Sequence, residues 1–392
     1  MAERRIAFVA PRYGPDVVGG AEAVMREAAR AFADRGWQVD VLTTCARDHY
    51  TWANHHPAGT TDDAGVTVHR FAVRHDTDRV ARDTVEINIQ LGVPVSLDEQ
   101  RLWLTGTLRV PDLFHHLVKH GDEYRAVVFA PYLFWTTAVG SIVAPERTIV
   151  MPCLHDEAYA YLEVFRPLLE DSAQIWFLSE PEHQLAHRLA DLPSHHLTGA
   201  GINIPDHHDA ARFRDARSIQ RRFVLFAGRR EAGKGWNTLL NAFARAVEDH
   251  DVDLDLVTFG VGPVDPPASV SDRVIDLGFL DEADLPHAFA AADAYIQPSG
   301  NESFSRTIME AWAAGTPVLG SARSAVVAWH VERSEAGLLF DGEDELVQCL
   351  VAVDQNQAAF EALAAGGRQY VLDNYTWDRV GAAMEKAVEE LL

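Results

Sequence analysis

The chain has 392 residues, more than one hydrophobic core usually supports, so two or three domains are expected. The formal net charge of −24 disfavours nucleic-acid binding, because so acidic a surface repels phosphate backbones. No apolar run approaches the roughly 18 residues of a membrane span, and the N-terminus does not resemble a secretory signal. Three scattered cysteines (Cys45, Cys153 and Cys349) favour a cytoplasmic location over a disulfide framework or a thiolate zinc site.

Short, β-branched apolar runs alternate with helical patterns along the chain, which predicts α/β units with parallel sheets. In the first half, the pattern predicts one helix at 22–34 and strands at 6–10, 38–42, 66–71, 126–130 and 148–151. Residues 75–120 break the alternation and are predicted to form a helical insertion. Two interpretations of this insertion stay open, a solvated surface excursion and a lid or acceptor surface.

The alternation resumes in the second half of the chain. Strands are predicted at 223–227, 255–259, 273–277, 294–297 and 317–319, and helices at 237–248, 282–291 and 304–314. Between the two series, the sequence is polar and lacks long apolar runs. It therefore predicts a first domain over 1–203, a linker over 204–222, a second domain over 223–370 and a C-terminal helix over 371–392.

Two adjacent glycines, Gly19 and Gly20, follow the first predicted strand and precede the first helix. They allow close approach of the backbone to a ligand, and a helix N-terminus offers N–H groups to a phosphate. Their spacing does not match the GxGxxG dinucleotide fingerprint. A plain strand–helix turn is the alternative.

The segment 228–235, GRREAGKG, places Arg229 and Lys234 beside flexible backbone after the first strand of the second series. This pattern is typical of an anion clamp, with a forked arginine contact and a lysine point charge. It is also one residue short of a Walker A loop, because Gly235 replaces the Ser or Thr that holds magnesium. An ATPase and a charged surface loop therefore remain alternatives.

Two glutamates, Glu302 and Glu310, surround the start of the helix predicted at 304–314, which Ser303 or Ser305 is expected to cap. At the helical rise their spacing is at most about 12 Å. One carboxylate can then bind hydroxyls on each side of a phosphate group, which suits a sugar–diphosphate–ribose chain. Two exposed helix glutamates are the simpler alternative.

Together, the E-x7-E spacing, the AWAAGTPV that follows it, the GR-x4-KG of 228–235 and the N-terminal GG-x-E resemble glycosyltransferase family 4. The resemblance implies the GT-B fold, with two Rossmann-like, doubly wound domains facing an interdomain cleft and a C-terminal helix crossing back to the first domain. It further implies a retaining transferase that uses a nucleoside diphosphate sugar as co-substrate and needs neither a metal nor another cofactor. A P-loop ATPase and a non-catalytic nucleotide-sugar-binding protein are the alternatives.

The resemblance also assigns roles to residues. Arg229 and Lys234 would hold the diphosphate, Glu302 the donor sugar and Glu310 the ribose. His155, after the strand at 148–151, would face the reacting carbon, so that the predicted catalytic residues are Arg229, Lys234, His155 and Glu302. Further donor contacts are predicted at Gly19, Gly20, Gly228, Phe279, Leu280, Ser303, Phe304, Ser305 and Arg306. Ser305 departs from the family's glycine and would narrow the sugar pocket or add a hydroxyl contact.

The sequence leaves the nucleotide base, the donor sugar, the acceptor and the oligomeric state open. The acceptor is a polysaccharide, a lipid-linked glycan or a secondary metabolite, and a patch of Arg101, Arg109 and Lys119 allows weak association with a membrane surface. The adjacent histidine pairs, including His195-His196, lack metal-ligand spacing, so no metal site is expected.

Overall fold

The structure is a computed structural model that describes residues 4–17, 19–76 and 78–391. Four short stretches lie outside the described residues. They are 1–3 and 392 at the predicted domain ends, Val18 in the predicted glycine turn and Thr77 in the predicted insertion. Contacts divide the chain into two compact units. One unit consists of Met1–Gly201 and Trp377–Leu392, and the other consists of Ile202–Thr376.

The first unit is built on a mostly parallel sheet. Its described elements are β1 (Arg5–Val9), α1 (Gly20–Asp34), β2 (Gln38–Thr44), β3 (Gly59–Asp63), β4 (Val66–Phe71), α2 (Arg79–Gln90), α3 (Leu97–Thr107), α4 (Pro111–His120), β5 (Ala126–Phe129), α5 (Trp135–Gly140), β6 (Thr148–Val150), α6 (Arg166–Glu170), β7 (Gln174–Phe177), α7 (Glu180–Leu189) and β8 (Ser194–Leu197). The strand order is β3-β4-β2-β1-β5-β6-β7-β8, and β3 pairs antiparallel with β4. Central strands such as β5 are buried along their whole length, as helices on both faces of a sheet require.

The predicted insertion is helical and consists of α2, α3 and α4. It is anchored by Trp103, which is 2% exposed and stacks on Tyr159 with 5.4 Å between ring centroids. Two arginines of the expected basic patch are paired with carboxylates: Arg101 lies 3.4 Å from Asp98, and Arg109 lies 2.9 Å from Asp76. These pairs offset much of the positive charge that the sequence suggested.

The second unit is built on a six-stranded sheet. Its described elements are α8 (Ala210–Ala216), β9 (Phe223–Ala227), α9 (Trp236–His250), β10 (Asp255–Phe259), β11 (Val274–Asp276), α10 (Leu285–Ala291), β12 (Ala294–Gln297), α11 (Arg306–Ala313), β13 (Val318–Ser321), α12 (Ala325–Ser334), β14 (Gly337–Phe340), α13 (Glu343–Gln355) and α14 (Gln357–Asn374). The strand order is β11-β10-β9-β12-β13-β14, and the pairings are parallel. Residues 204–222, expected as a linker, lie within this unit, where Phe213 of α8 is buried and Arg214 lies over the Phe223 ring.

The last helix, α15 (Trp377–Glu389), belongs to the first unit. The Trp377 indole donates a 2.9 Å hydrogen bond to Glu27 on α1, and the amide of Gln174 donates to the carbonyl of Ala387 at 2.8 Å. The stretch 371–392, predicted as one helix, is therefore divided between the end of α14 and α15. Only α15 belongs to the first unit, where it contacts α1 and β7.

The ten strands predicted from the sequence are present with ends within two residues of the expected ones. The helix expected at 282–291 begins only at Leu285, because Pro286 suits the first turn of a helix and its missing N–H excludes it from the interior. Among the described residues, no helix combines the length and the apolar character needed to cross a bilayer.

Candidate active site

The loops that follow β9, β10 and β11 lie side by side at the carboxyl edge of the second sheet, where α/β proteins bind ligands. The N–H of Gly228 donates to the carbonyl of Phe259 at 3.0 Å, and the N–H of Gly260 donates to that of Gly278 at 2.7 Å. Phe279, directly after this contact, is 66% exposed and can stack on a planar ligand. Leu280 is buried, so its side chain is part of the core and only its backbone can serve the predicted donor contact.

Lys234 and Glu302 meet at this edge, although they are far apart in the sequence. Lys234 ends a short 3-10 turn after β9, and Glu302 lies in the loop between β12 and α11. The Nζ of Lys234 lies 2.7 Å from Oε1 of Glu302, whose side chain is 12% exposed. The cation predicted to hold a diphosphate therefore contacts the carboxylate predicted to bind the sugar.

The two consecutive arginines of this loop have different roles. Arg229 is 39% exposed and lies 3.3 Å from Glu231, which leaves it at the surface of the loop. Arg230 is buried, donates to the carbonyls of Gly262 and Gly260 at 2.9 and 3.2 Å, and lies 3.2 Å from Asp276. Arg230 thus contacts the loops that follow β9, β10 and β11 at the same time. It was not among the site residues predicted from the sequence.

Ser305 occupies a left-handed backbone conformation, with φ 61° and ψ 64°. A side chain disfavours this conformation by about 1–2 kcal/mol, whereas a glycine adopts it readily. The serine hydroxyl is buried and accepts a 2.7 Å hydrogen bond from Gln297. The hydroxyl is therefore engaged within the second unit as an acceptor, and its contact with a sugar stays a prediction.

The N-terminus of α11 differs from the prediction that Ser303 or Ser305 caps it. Ser305 is the N-cap residue, but it makes no side-chain cap hydrogen bond in the described structure, because its hydroxyl is turned to Gln297. Ser303, the other predicted cap, lies two residues further from the helix. The Ser305 hydroxyl therefore does not cover the first amides of α11, which lie at a helix N-terminus of the kind that binds anions.

Glu310 lies on α11 and accepts hydrogen bonds from Arg306, one turn earlier, at 2.9 and 3.1 Å. Phe304 is 3% exposed and packs edge-on against His330 and Tyr375. Its ring therefore anchors the loop, and only its backbone can contact a donor.

In the first unit, Gly19 and Gly20 lie at the start of α1, after β1. A Cβ on Gly19 would overlap the carboxylate of Glu22, which forms a buried ion pair with Arg12. Gly20 is exposed, and a Cβ there would meet no atom within 4 Å among the described residues. The close backbone approach expected of the two glycines thus applies at Gly19, and it serves the buried pair.

His155 follows β6 and is about one-third exposed. Its Nδ1 lies 3.6 Å from Oε1 of Glu157, which in turn accepts a 3.1 Å hydrogen bond from the hydroxyl of Tyr132. The Glu157 carboxylate therefore lies beside the imidazole ring, at a separation longer than a direct hydrogen bond. The neighbouring Glu157 was the sequence signal for this arrangement, and Tyr132 could not be foreseen.

A buried carboxylate supports the loop that carries His155. Oε1 of Glu182, on α7, accepts a 2.7 Å hydrogen bond from the N–H of Leu154, and Oε2 accepts a 2.6 Å bond from that of Leu178. Burial raises the pKa of Glu182 to about 8, although these backbone hydrogen bonds act in the opposite direction. Glu182 was not among the predicted residues, because nothing in the sequence shows that α7 packs beneath the β6 loop.

We expect the stability contributed by Glu182 to fall as the pH rises. The folded pKa of about 8 exceeds the unfolded value of about 4.3, so the folded state holds the extra proton between these values. The difference in unfolding free energy between the wild type and Glu182→Gln should therefore decrease with pH in this window, by at most about 1.4 kcal/mol per unit. Urea unfolding from pH 5 to 9 measures it. A difference independent of pH, or one shared by the exposed control Glu163→Gln, contradicts the expectation.

Part of this chain is similar in sequence to known glycosyltransferases. The family model of group 1 glycosyl transferases matches residues 221–356. A phosphatidyl-myo-inositol mannosyltransferase of Mycobacterium leprae is 33% identical over 174 residues, which cover 42% of this chain and 46% of that protein. The chain spans less than half the length of the first curated relatives that it matches.

Solved structures match both units. Sucrose-phosphate synthase from Thermosynechococcus elongatus has a TM-score of 0.76 at 19% identity and 99% coverage of both chains. Anabaena HepE in complex with UDP and glucose has a TM-score of 0.69 at 17% identity, covering 99% of this chain and 100% of that one. At these identities the similarity is one of fold. The chain therefore has the GT-B fold, and residues 221–356 match the group 1 glycosyl transferases.

Proposed function

We propose that this protein transfers a hexosyl group from a nucleoside diphosphate sugar to an acceptor hydroxyl, with retention of configuration. The observation that carries the proposal is the 2.7 Å contact between Lys234 and Glu302 at the carboxyl edge of the second sheet. It supports the proposal because the cation that would hold the diphosphate lies beside the carboxylate that would bind sugar hydroxyls. The HepE complex with UDP and glucose favours a uridine nucleotide and a glucose-like sugar as the first donor to test.

In the proposed reaction, the bond between C1 of the sugar and the diphosphate oxygen breaks, and its electron pair stays on the diphosphate. The acceptor oxygen bonds to C1 from the same face, and its proton passes to the departing diphosphate. Lys234 and Arg229 would stabilise the charge that develops on the leaving group, as fixed positive charges do in a preorganised site. The first amides of α11 would add to this stabilisation. These groups make a metal unnecessary, so we expect activity in EDTA.

The remaining residues would position the donor. Glu310 would accept hydrogen bonds from the ribose hydroxyls, in place of one of its contacts with Arg306. The exposed ring of Phe279 would stack on the base. His155, which lies beside Glu157, would contact the sugar near C1.

We assign acceptor binding to the first unit, as the family resemblance implies. Three apolar side chains on α2 and at its C-terminal cap are more than half exposed: Val80, Ile87 and Leu91. An acceptor with an apolar portion, such as a lipid-linked glycan, would cover them. Arg101 and Arg109 are paired with carboxylates, which reduces their attraction to an anionic membrane surface. An apolar contact is therefore favoured over a purely electrostatic one.

Thermal unfolding with nucleotides tests the donor site. At a hundred times its dissociation constant, UDP should raise the unfolding midpoint by about 5–10 °C in the presence of EDTA. Glu310→Ala should lose most of this shift, because each hydrogen bond to a charged group contributes about 1.5–3 kcal/mol. The exposed Glu361→Ala, on α14, is the matched control and should keep the shift.

Two outcomes would overturn the proposal. One is a shift that needs ATP with magnesium and survives Glu310→Ala, which would point to a P-loop nucleotide site. The other is UDP-sugar binding without any turnover, which would make this a non-catalytic binding protein. Retention is checked by NMR of the sugar released in slow donor hydrolysis, whose first anomer should be that of the donor.

A further inference from the structure

Three histidines of the first unit, none of them assigned to the candidate active site, lie close together. His183 and His187 lie one turn apart on α7, and His195 lies on the edge strand β8. One ring nitrogen of each lies within 4.8 Å of the corresponding nitrogens of the other two. Positions i and i+4 share a face of a helix, so both α7 rings point to the same side, toward β8.

The surroundings of these rings leave ligand nitrogens facing the centre of the cluster. Nδ1 of His195 lies 2.9 Å from the carbonyl oxygen of Pro193, which fixes the proton on Nδ1 and leaves a lone pair on Nε2. Nδ1 of His183 lies 3.5 Å from the carboxylate of Glu180, and its Nε2 is buried with no hydrogen-bond partner among the described residues. Carboxylates and carbonyls on the outer nitrogen are the usual partners of histidines that bind metals.

We propose that His183, His187 and His195 form a binding site for a divalent d-block cation, with Zn²⁺ as the ion that suits it best. Three imidazoles plus a water complete the tetrahedral coordination that zinc prefers, and hard cations such as Mg²⁺ prefer oxygen ligands. Zn–N bonds of about 2.1 Å put ligand nitrogens about 3.4 Å apart. His187 and His195 are exposed, so side-chain rotation can bring the nitrogens this close.

The site would join the edge strand of the first sheet to the helix beside it. An edge strand makes hydrogen bonds on one side only, and β8 is mostly exposed, so a metal crosslink would stabilise it. The same helix carries Glu182, which supports the His155 loop from another face. The ion would therefore be structural, and the inference does not depend on the proposed transfer reaction.

This cluster was not predicted from the sequence, because its three histidines are not adjacent in the chain. His195 and His196 do point to opposite sides of β8, and His196 lies 3.4 Å from Glu390 instead. The His-x3-His of 183–187, followed eight residues later by a third histidine, was the available signal.

The test uses the full chain without a histidine tag, stripped with EDTA and desalted. Isothermal titration should show one Zn²⁺ per chain, and Co²⁺ should give the visible absorption of tetrahedral coordination. At a hundred times the dissociation constant, Zn²⁺ should raise the midpoint of the first unit by about 5–10 °C, and Mg²⁺ should not. His187→Ala and His195→Ala should each abolish the absorption and the shift.

His196→Ala is the matched control, because it removes a neighbouring imidazole from the same strand and should leave Zn²⁺ binding intact. The exposed positions of His187 and His195 allow folded variants, which is checked by equal unfolding midpoints in EDTA. The proposal is overturned if the wild type shows no saturable 1:1 binding, or if His196→Ala loses as much affinity as His195→Ala.

Discussion

Lys234→Ala is expected to lower kcat of sugar transfer by about 10²–10³-fold, which corresponds to about 2.7–4 kcal/mol of lost transition-state stabilisation. Lys234 supplies a fixed positive charge where the diphosphate would depart, and its Nζ lies 2.7 Å from Glu302. Removing it also leaves the mostly buried carboxylate of Glu302 without this counter-ion, beside an anionic substrate. Steady-state kinetics with a saturating UDP-sugar measures the effect.

The chain offers a matched control for this change, because it contains only three lysines. Lys386 on α15 is 79% exposed and makes a 4.0 Å contact with Glu390, so Lys386→Ala should leave kcat unchanged. A Lys234→Ala enzyme within about threefold of wild type would show that Lys234 is not the leaving-group cation. Unfolding midpoints of both variants separate this result from a loss of folding.

A double-mutant cycle tests whether Lys234 and Glu302 act as a pair. Glu302→Gln keeps the shape of the side chain and removes its charge. Because the two groups are in contact, the loss in the double variant should be smaller than the product of the single losses. Independent losses would mean that the contact opens completely when the donor binds.

Most of the strand and helix pattern could be predicted because it depends on burial, although the buried strand β7 was not predicted. Runs such as FVLFA at 223–227 are apolar at every position, and only a strand covered on both faces uses that pattern at that length. The exposed edge strands did not follow it. β3 reads GTTDD and β8 reads SHHL, so neither has an apolar run that a strand prediction could use.

The candidate site was predictable in its residue types and less so in its contacts. Glycines and cations after β9 and the two glutamates around α11 stand out in the sequence. The sequence does not show that the Arg230 side chain is buried while that of Arg229 is exposed. Both residues follow the same strand, and only the directions of their side chains differ. The sequence also does not show the left-handed backbone conformation of Ser305 or the hydrogen bond that its hydroxyl accepts from Gln297.

Gly235→Ser is expected to lower the unfolding free energy of the second unit by about 2–5 kcal/mol and to abolish transfer. Gly235 has a φ of 73°, and a Cβ there would lie 2.5 Å from the carbonyl oxygen of Pro298. Both the backbone conformation and the collision oppose a side chain. The serine would move Lys234 and the loop before Glu302 relative to each other, which disrupts their contact.

This substitution also decides between the transferase and the ATPase, because it completes the Walker A pattern G-x4-G-K-S. A P-loop would gain magnesium-dependent ATP hydrolysis, whereas the geometry around Pro298 predicts a destabilised chain without it. Gly233→Ser is the matched control, since a Cβ there meets no described atom within 4 Å, and its unfolding free energy should stay within about 0.5 kcal/mol. Urea unfolding and a phosphate-release assay on both variants give the answer. A stable Gly235→Ser chain that hydrolyses ATP would replace the transferase assignment, because the loop would then hold magnesium and triphosphate in place of a sugar diphosphate.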